Sequence, residues 1–225
     1  MDIMTELSHP TTKPNSPDDR LLWVDCEFTG LSEKDDVILE VAAVATDYRL
    51  RELADYSAFV QHDEAEVRTL AARDDWWLER PEHLALMASS SQNLGKPLEV
   101  VGSELAQFTS EWVGDQDVVL AGNTIYTDRK FLVRDFNELA SKLQYRMLDV
   151  SGIKLIARAL LGEEYKKRET HQATEDIRES LEELRFLLNL IGNSDIRAAI
   201  QPGTKIQSAD LRLDPDQSQW PDISR

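Results

Sequence analysis

The sequence predicts an α/β fold, on three observations. Apolar runs of strand length crowd the region that follows a polar lead of about twenty residues. Strand-like and helix-like segments alternate after them. The clearest amphipathic pattern in the chain, 171–191, is helical and lies late. Early strands with helices interleaved afterwards suit a sheet covered by helical layers.

Each element has its own justification. Residues 1–19 hold three prolines and much Ser, Thr and Asp without apolar periodicity, and are expected to form a disordered leader. The core is expected to begin near Arg20. LLWVDCEF at 21–28 reads as a strand, GLSEKDD at 30–36 as a turn, and VILEVAAVATD at 37–47 as a second strand, apolar enough for burial on both faces. YSAFVQ at 56–61 is a third strand candidate. Helical periodicity then covers 64–79, 82–90 and, after Pro97, 98–113. DVVLAG at 117–122 reads as a strand ending in glycine and 127–143 as an amphipathic helix. RMLDV at 146–150 is a short strand, followed by a helix that stops at Gly162. The folded domain is thus 20–192, and 193–225, which ends in ADLRLDPDQSQWPDISR with little periodicity and two prolines, is expected to be a flexible C-terminal tail.

Composition narrows the function. A chain of 225 residues supports one full core. No apolar run reaches the roughly twenty residues that span a bilayer, and the N-terminus lacks the basic start and apolar centre of a signal peptide, so a cytoplasmic protein without membrane contact is expected. Cys26 is the single cysteine and cannot form an internal disulfide. A net charge of −17 opposes salt-driven binding to long nucleic acid, which depends on many cationic contacts to phosphate. It leaves room for a small phosphate-bearing ligand held through metal ions.

Five residues carry the chemistry. Asp25 and Glu27 interrupt an apolar strand, and residues two apart on a strand share a face, so the two like charges project together while Cys26 points the other way. Such a pair fits a solvated strand end. The internal character of Leu21, Leu22, Trp23 and Val24 makes a bound hard cation the more economical reading. Asp128 follows a strand and a turn at a helix start, where it could cap the helix or reach a ligand. His171 and Asp176 lie five apart, about 140° around a continuous helix, so they share a site only if His171 precedes the helix or begins it. Thr170 is a fair N-cap for that boundary. Four carboxylates and one histidine are together the parts of two-metal phosphodiester hydrolysis, in which a base takes a proton from water.

The order Asp-x-Glu, central Asp, then His-x4-Asp resembles the DEDDh group of 3′→5′ exonucleases. The stretches WVDCEFTGL, AGNTIYTDRKFL, YRMLDVSGIK and HQATEDIRESLEEL are similar to its oligoribonuclease branch, in order and at compatible spacing from about 23 to 184. The resemblance implies a ribonuclease H-like fold with a mixed five-stranded sheet flanked by helices. It also implies two divalent cations, Mg²⁺ or Mn²⁺, on Asp25, Glu27, Asp128 and Asp176, with His171 as general base. Short RNA oligonucleotides, dinucleotides in particular, are the implied substrates. Leu31 matches a wedge against the bases. Arg146, Thr124 and Ser151 match a cap on the terminal phosphate, and Tyr145 matches a residue donated by the second subunit of a homodimer.

The chain departs from that pattern in places. Gly152 stands where a second hydroxyl is common, and His83 is offset from a substrate-holding histidine. The segment between Gly162 and His171 is short. A rival reading is a DEDDh exonuclease trimming longer RNA or single-stranded DNA. A reading of another class is a non-catalytic nucleotide-binding or scaffold protein.

Overall fold

A computed structural model describes residues 20–161, 165 and 172–191. Five strands form one sheet: β1 (Arg20–Phe28), β2 (Ile38–Asp47), β3 (Glu52–Phe59), β4 (Val118–Gly122) and β5 (Leu143–Asp149), in the order β3-β2-β1-β4-β5. β1, β2 and β3 pair antiparallel, whereas β4 pairs parallel with both β1 and β5. The expected mixed five-stranded sheet is therefore present.

Eight helices are described: α1 (Glu64–Ala71), α2 (Asp75–Leu78), α3 (Pro81–Leu94), α4 (Leu98–Trp112), α5 (Tyr126–Asp135), α6 (Asn137–Ala140), α7 (Val150–Leu161) and α8 (Ala173–Ile191). Strand alternation sorts β1 between two cores. Leu22, Val24, Cys26 and Phe28 pack with α4 and α5 on one face. Leu21 and Trp23 pack on the other with Ile177, Leu181 and Leu184 of α8. Asp25 and Glu27 continue that second row, so the pleat alone turns both toward α8.

Several boundaries differ from the sequence expectation, β3 among them, which runs Glu52–Phe59 instead of 56–61. The helix expected over 127–143 is two, broken at Phe136 (φ −121°, ψ 72°), whose ring is buried in the α4–α5 core. Burial of Phe136 and Leu139 requires a change of direction that straight 3.6-residue periodicity does not contain. The pattern over 64–79 also breaks, because Asp74 takes an extended conformation and accepts the Trp76 N–H at 2.9 Å, starting α2 afresh. β5 begins at Leu143, earlier than expected, so Tyr145 and Arg146 are strand residues on a sheet edge.

Two irregularities prepare the site. β4 is short, and its pairing with β1 ends at Trp23 opposite Ala121, leaving Asp25–Phe28 without a β4 neighbour. At the far edge of β1, Glu27 pairs with Glu40 and Phe28 with Ile38, so Leu39 is an extra residue in β2. This bulge sends Leu39 into a third cluster with Val67, Trp77 and Met87, while Glu40 stays beside Glu27. Among the described residues, no helix is long and apolar enough to cross a membrane.

Candidate active site

The site gathers where β1 outruns β4. A cavity of about 600 Å³ is lined by Asp25, Glu27, Asp128 and Asp176, together with Leu31, Trp76 and Thr124. Oxygens of Asp25, Glu27 and Asp176 all lie within 4.8 Å of one another. The two strand acids reach this point by alternation, and Asp176 reaches it from the first turn of α8, which packs across β1, β2 and β3.

Asp128 arrives from the other side. It sits in the first turn of α5, only 6% exposed, and its Oδ1 accepts the Cys26 N–H at 3.0 Å. That N–H is one the short β4 leaves without a ladder partner, so the carboxylate replaces a missing strand and is aimed by doing so. The first-turn position is the helix-capping reading of the sequence. No side-chain cap bond forms at the start of α5, whose N-cap residue is Ile125, and the Asp128 carboxylate lines the cavity.

Crowded, partly buried acids hold their protons. Burial, then Glu40 and Asp176, push Glu27 up to about 7. Burial, then Asp176, push Glu40 up to about 7. Burial also raises Asp128 to about 7, against hydrogen bonds from its own backbone and Cys26 that act to lower it. The Cys26 thiol is raised well above its ordinary range by burial and by Asp128 and Asp25, so it stays protonated and packs as a small apolar group. An all-oxygen donor set of this kind fits a hard divalent cation, which would displace those protons and neutralise the repulsion.

The second group of expected residues forms a polar rim. Thr124, in the turn after β4, has φ 52°, a conformation that a β-branched side chain adopts at a cost of about 1 kcal/mol or more. Two hydrogen bonds hold it there: its N–H donates to Asp149 Oδ1 at 3.0 Å and to Ser151 Oγ at 2.9 Å. The hydroxyls of Thr124 and Ser151 lie 3.1 Å apart. Asn123 ties this rim to α8 by donating to Ser180 Oγ at 2.7 Å, and the fully buried Glu183 accepts from Lys154 at 2.8 Å. One hydroxyl pair of the expected phosphate cap is thus assembled, and a Cβ at Gly152 would meet only open space.

Tyr145 and Arg146 are not brought to the acids. Tyr145 is 73% exposed on the β5 edge with the Arg146 guanidinium 4.6 Å from its ring centre, and neither lines the cavity. Leu31 does line it, 66% exposed. His171 and Thr170 lie outside the described residues. α8 begins at Ala173, two positions beyond His171 in the sequence. Sequence reasoning missed Glu40, whose place depends on the register between β1 and β2. It also assigned no role to Asp74, Trp77 and Glu179, which line the cavity, because helical periodicity over 64–79 and 171–191 does not say which polar residues face a site.

Comparison with known proteins adds an independent line. Residues 22–70 and 93–184 match the RNase_T exonuclease family. The oligoribonuclease of Aeromonas hydrophila is 38% identical over 170 residues, covering 74% of this chain and 92% of that one. The chain belongs to the oligoribonuclease family. The family's members from Pseudomonas syringae and Streptomyces avermitilis are 37% and 35% identical, over 74% and 75% of this chain and 92% and 84% of theirs.

Two solved structures share the fold at low identity. Exonuclease I of Methylocaldum szegediense superposes with a TM-score of 0.51 at 16% identity, over 76% of this chain and 40% of that one. The zinc-bound E. coli exonuclease I complex with single-stranded DNA superposes at 0.52 and 12%, over 80% and 42%. This chain therefore spans about two fifths of the length of those larger exonucleases.

Proposed function

We propose that the protein is a metal-dependent 3′→5′ exoribonuclease that hydrolyses short oligoribonucleotides, dinucleotides in particular, to 5′-mononucleotides. The observation that carries this reading is the convergence of Asp25, Glu27, Asp128 and Asp176 on one cavity in a chain of the oligoribonuclease family.

Asp25, Glu27, Asp128 and Asp176 would hold two divalent cations, Mg²⁺ or Mn²⁺. When bound, such a pair supplies charge stabilisation for the attacking and leaving oxygens of the phosphodiester. Asp128, fixed through Cys26 N–H, presents its carboxylate without the entropy cost of a free rotamer. His171 takes the proton from the attacking water, the P–O3′ bond breaks, and the products are a 5′-mononucleotide and a chain with a free 3′-hydroxyl. Leu31 separates the bases at the cavity mouth.

Length selection rests on the polar rim. Thr124 and Ser151 offer hydroxyls beside a backbone held in one conformation, and Arg146 would add a bidentate fork to a terminal phosphate. Arg146 lies away from the acids of its own chain, and the exposed β5 edge bearing Tyr145 is an unpaired sheet edge of the kind that a second copy covers. Both features support a homodimer in which Tyr145 serves the partner's cavity. A cytoplasmic location, a leader at 1–19 and a tail at 193–225 complete the proposal.

Labelled dinucleotide and 20-mer RNA, compared at equal concentration with Mg²⁺ or Mn²⁺, test it. Faster turnover of the dinucleotide is expected, and faster turnover of the 20-mer overturns the short-substrate assignment.

A further inference from the structure

We infer that Asp36 and Arg73 are positioning residues that set the gap between the two base-facing walls of the cavity, and with it the preference for the shortest RNA ends. This rests on the proposed function, because it concerns how the same cavity selects length.

One wall is the loop 29–37 after β1, which presents Leu31. The other is the segment Asp74–Trp77, which presents Trp76 from α2. Neither wall belongs to the sheet, so nothing in the ladder fixes their separation. Asp36, only 7% exposed, organises the first wall. Its Oδ1 accepts the Thr29 hydroxyl at 3.0 Å and its Oδ2 accepts the Ser32 N–H at 2.9 Å. A Cβ on Gly30 would lie 2.7 Å from Oδ2, so the carboxylate sits against bare backbone beside Leu31.

Arg73 joins that wall to the second. Its guanidinium donates to Asp36 Oδ1 at 2.6 Å and to the Asp35 carbonyl at 3.0 Å, and the next residue is Asp74, the cap of α2. Trp77 adds a second tie, with its indole N–H donating to the Phe28 carbonyl at 3.1 Å. From behind, Arg134 of α5 donates to the Asp36 carbonyl at 2.9 Å and to that of Glu33. Half-exposed ion pairs contribute little to stability. This one sends both loop bonds from Nη2 while Nε of the same rigid plane donates to the Leu70 carbonyl at 3.0 Å, so the planar group spans from α1 to the first wall at a set distance and direction.

A dinucleotide has few contacts beyond the polar rim, the two walls and the metal-holding acids, so the walls make up a larger share of its hold than of a longer chain's. A longer chain has others. Loosening the gap should therefore weaken the dinucleotide selectively, with little change at the acids themselves.

The test is kinetic, with Arg73→Gln as the main variant because Asp36 keeps its bonds to Thr29 and Ser32. KM for a dinucleotide should rise about tenfold with kcat within about threefold, and the dinucleotide-to-pentanucleotide ratio of kcat/KM should fall at least about fivefold. Arg73→Lys should fall between, since an ammonium keeps the charge but loses the planar group's second hold on the Leu70 carbonyl. Asp36→Asn should shift the ratio the same way. A non-hydrolysable dinucleotide, followed by tryptophan fluorescence, should bind Arg73→Gln more weakly by a similar factor. If both variants lower only the melting temperature and leave KM and the length ratio at wild-type values, the pair is structural and the inference is overturned. A fall in kcat alone overturns it as well. Wild-type protein inactive on every RNA length would instead strike down the proposed function, and this inference with it.

Discussion

The acidic cluster and the polar rim adjoin at Thr124, which lines the cavity of the acids, but are built differently. The cluster stands on β1, the first turn of α5 and the first turn of α8, each locked by core packing on both faces of the sheet. The rim stands on the turn at Thr124, the start of α7 and the exposed β5 edge, and is held by single hydrogen bonds. Under the proposed function, reaction chemistry would thus stand on packed core elements and discrimination on turns and an edge. The first should tolerate almost no substitution and the second should respond in degrees.

The largest effect should come from Asp25. Asp25→Ala should lower kcat by about a thousandfold or more while the protein stays folded, since the change removes a metal-holding carboxylate from a crowded cluster. Circular dichroism and a discontinuous cleavage assay check both halves. Activity that survives would break the contrast at its strong end.

Arg146→Ala comes next. It should raise KM for a dinucleotide by about ten- to a hundredfold with much less change in kcat, because a charge-assisted fork to phosphate is lost while the acids are untouched. The proposed dimer offers a sharper version. Tyr145→Ala and Asp25→Ala proteins, each impaired alone, should regain activity when mixed and re-equilibrated, because each Tyr145→Ala cavity would receive an intact Tyr145 from its neighbour. Unchanged activity on mixing would confine each cavity to its own chain.

The pH dependence of stability has a definite sign. With chelator present, the folded protein keeps the Glu40 proton up to about 7, whereas the unfolded chain releases it near 4.5. Between those values the native state binds more protons, so this group lowers unfolding free energy as pH rises. Glu40→Gln removes that penalty. Its melting temperature relative to wild type should climb between pH 5 and pH 8, by roughly 3–8 °C, and the gain should shrink when Mg²⁺ is added. A gain that is constant with pH would mean that folding does not raise the Glu40 pKa.

Ser151→Ala should have the smallest effect, about two- to fivefold in KM, because Thr124 N–H keeps its bond to Asp149. A loss as large as that of Arg146→Ala would move the rim toward the rigid class.

The same contrast explains what could be read from the sequence. Asp25 and Glu27 were legible because two charges with a period of two inside an apolar run have few explanations, and Asp176 because the helix bearing it is strongly periodic. Glu40 was not, since a charge within VILEVAAVATD gains meaning only from pairing with Glu27 past a bulge at Leu39. The kink at Phe136 and the fresh start at Asp74 were hidden for a related reason. Both follow from tertiary packing and a local cap, which periodicity does not encode. Leu31 and the Thr124–Ser151 pair were visible only through family resemblance, because turns carry no repeating signal.

The brevity of β4 has one more consequence. Adding two residues after Gly122 to lengthen it would satisfy the Cys26 amide with backbone and strengthen the sheet, yet it would displace the Asp128 carboxylate that now fills that place. A sturdier variant of this molecule would therefore be a poorer catalyst, and selection for heat resistance alone should drive the lineage toward inert descendants.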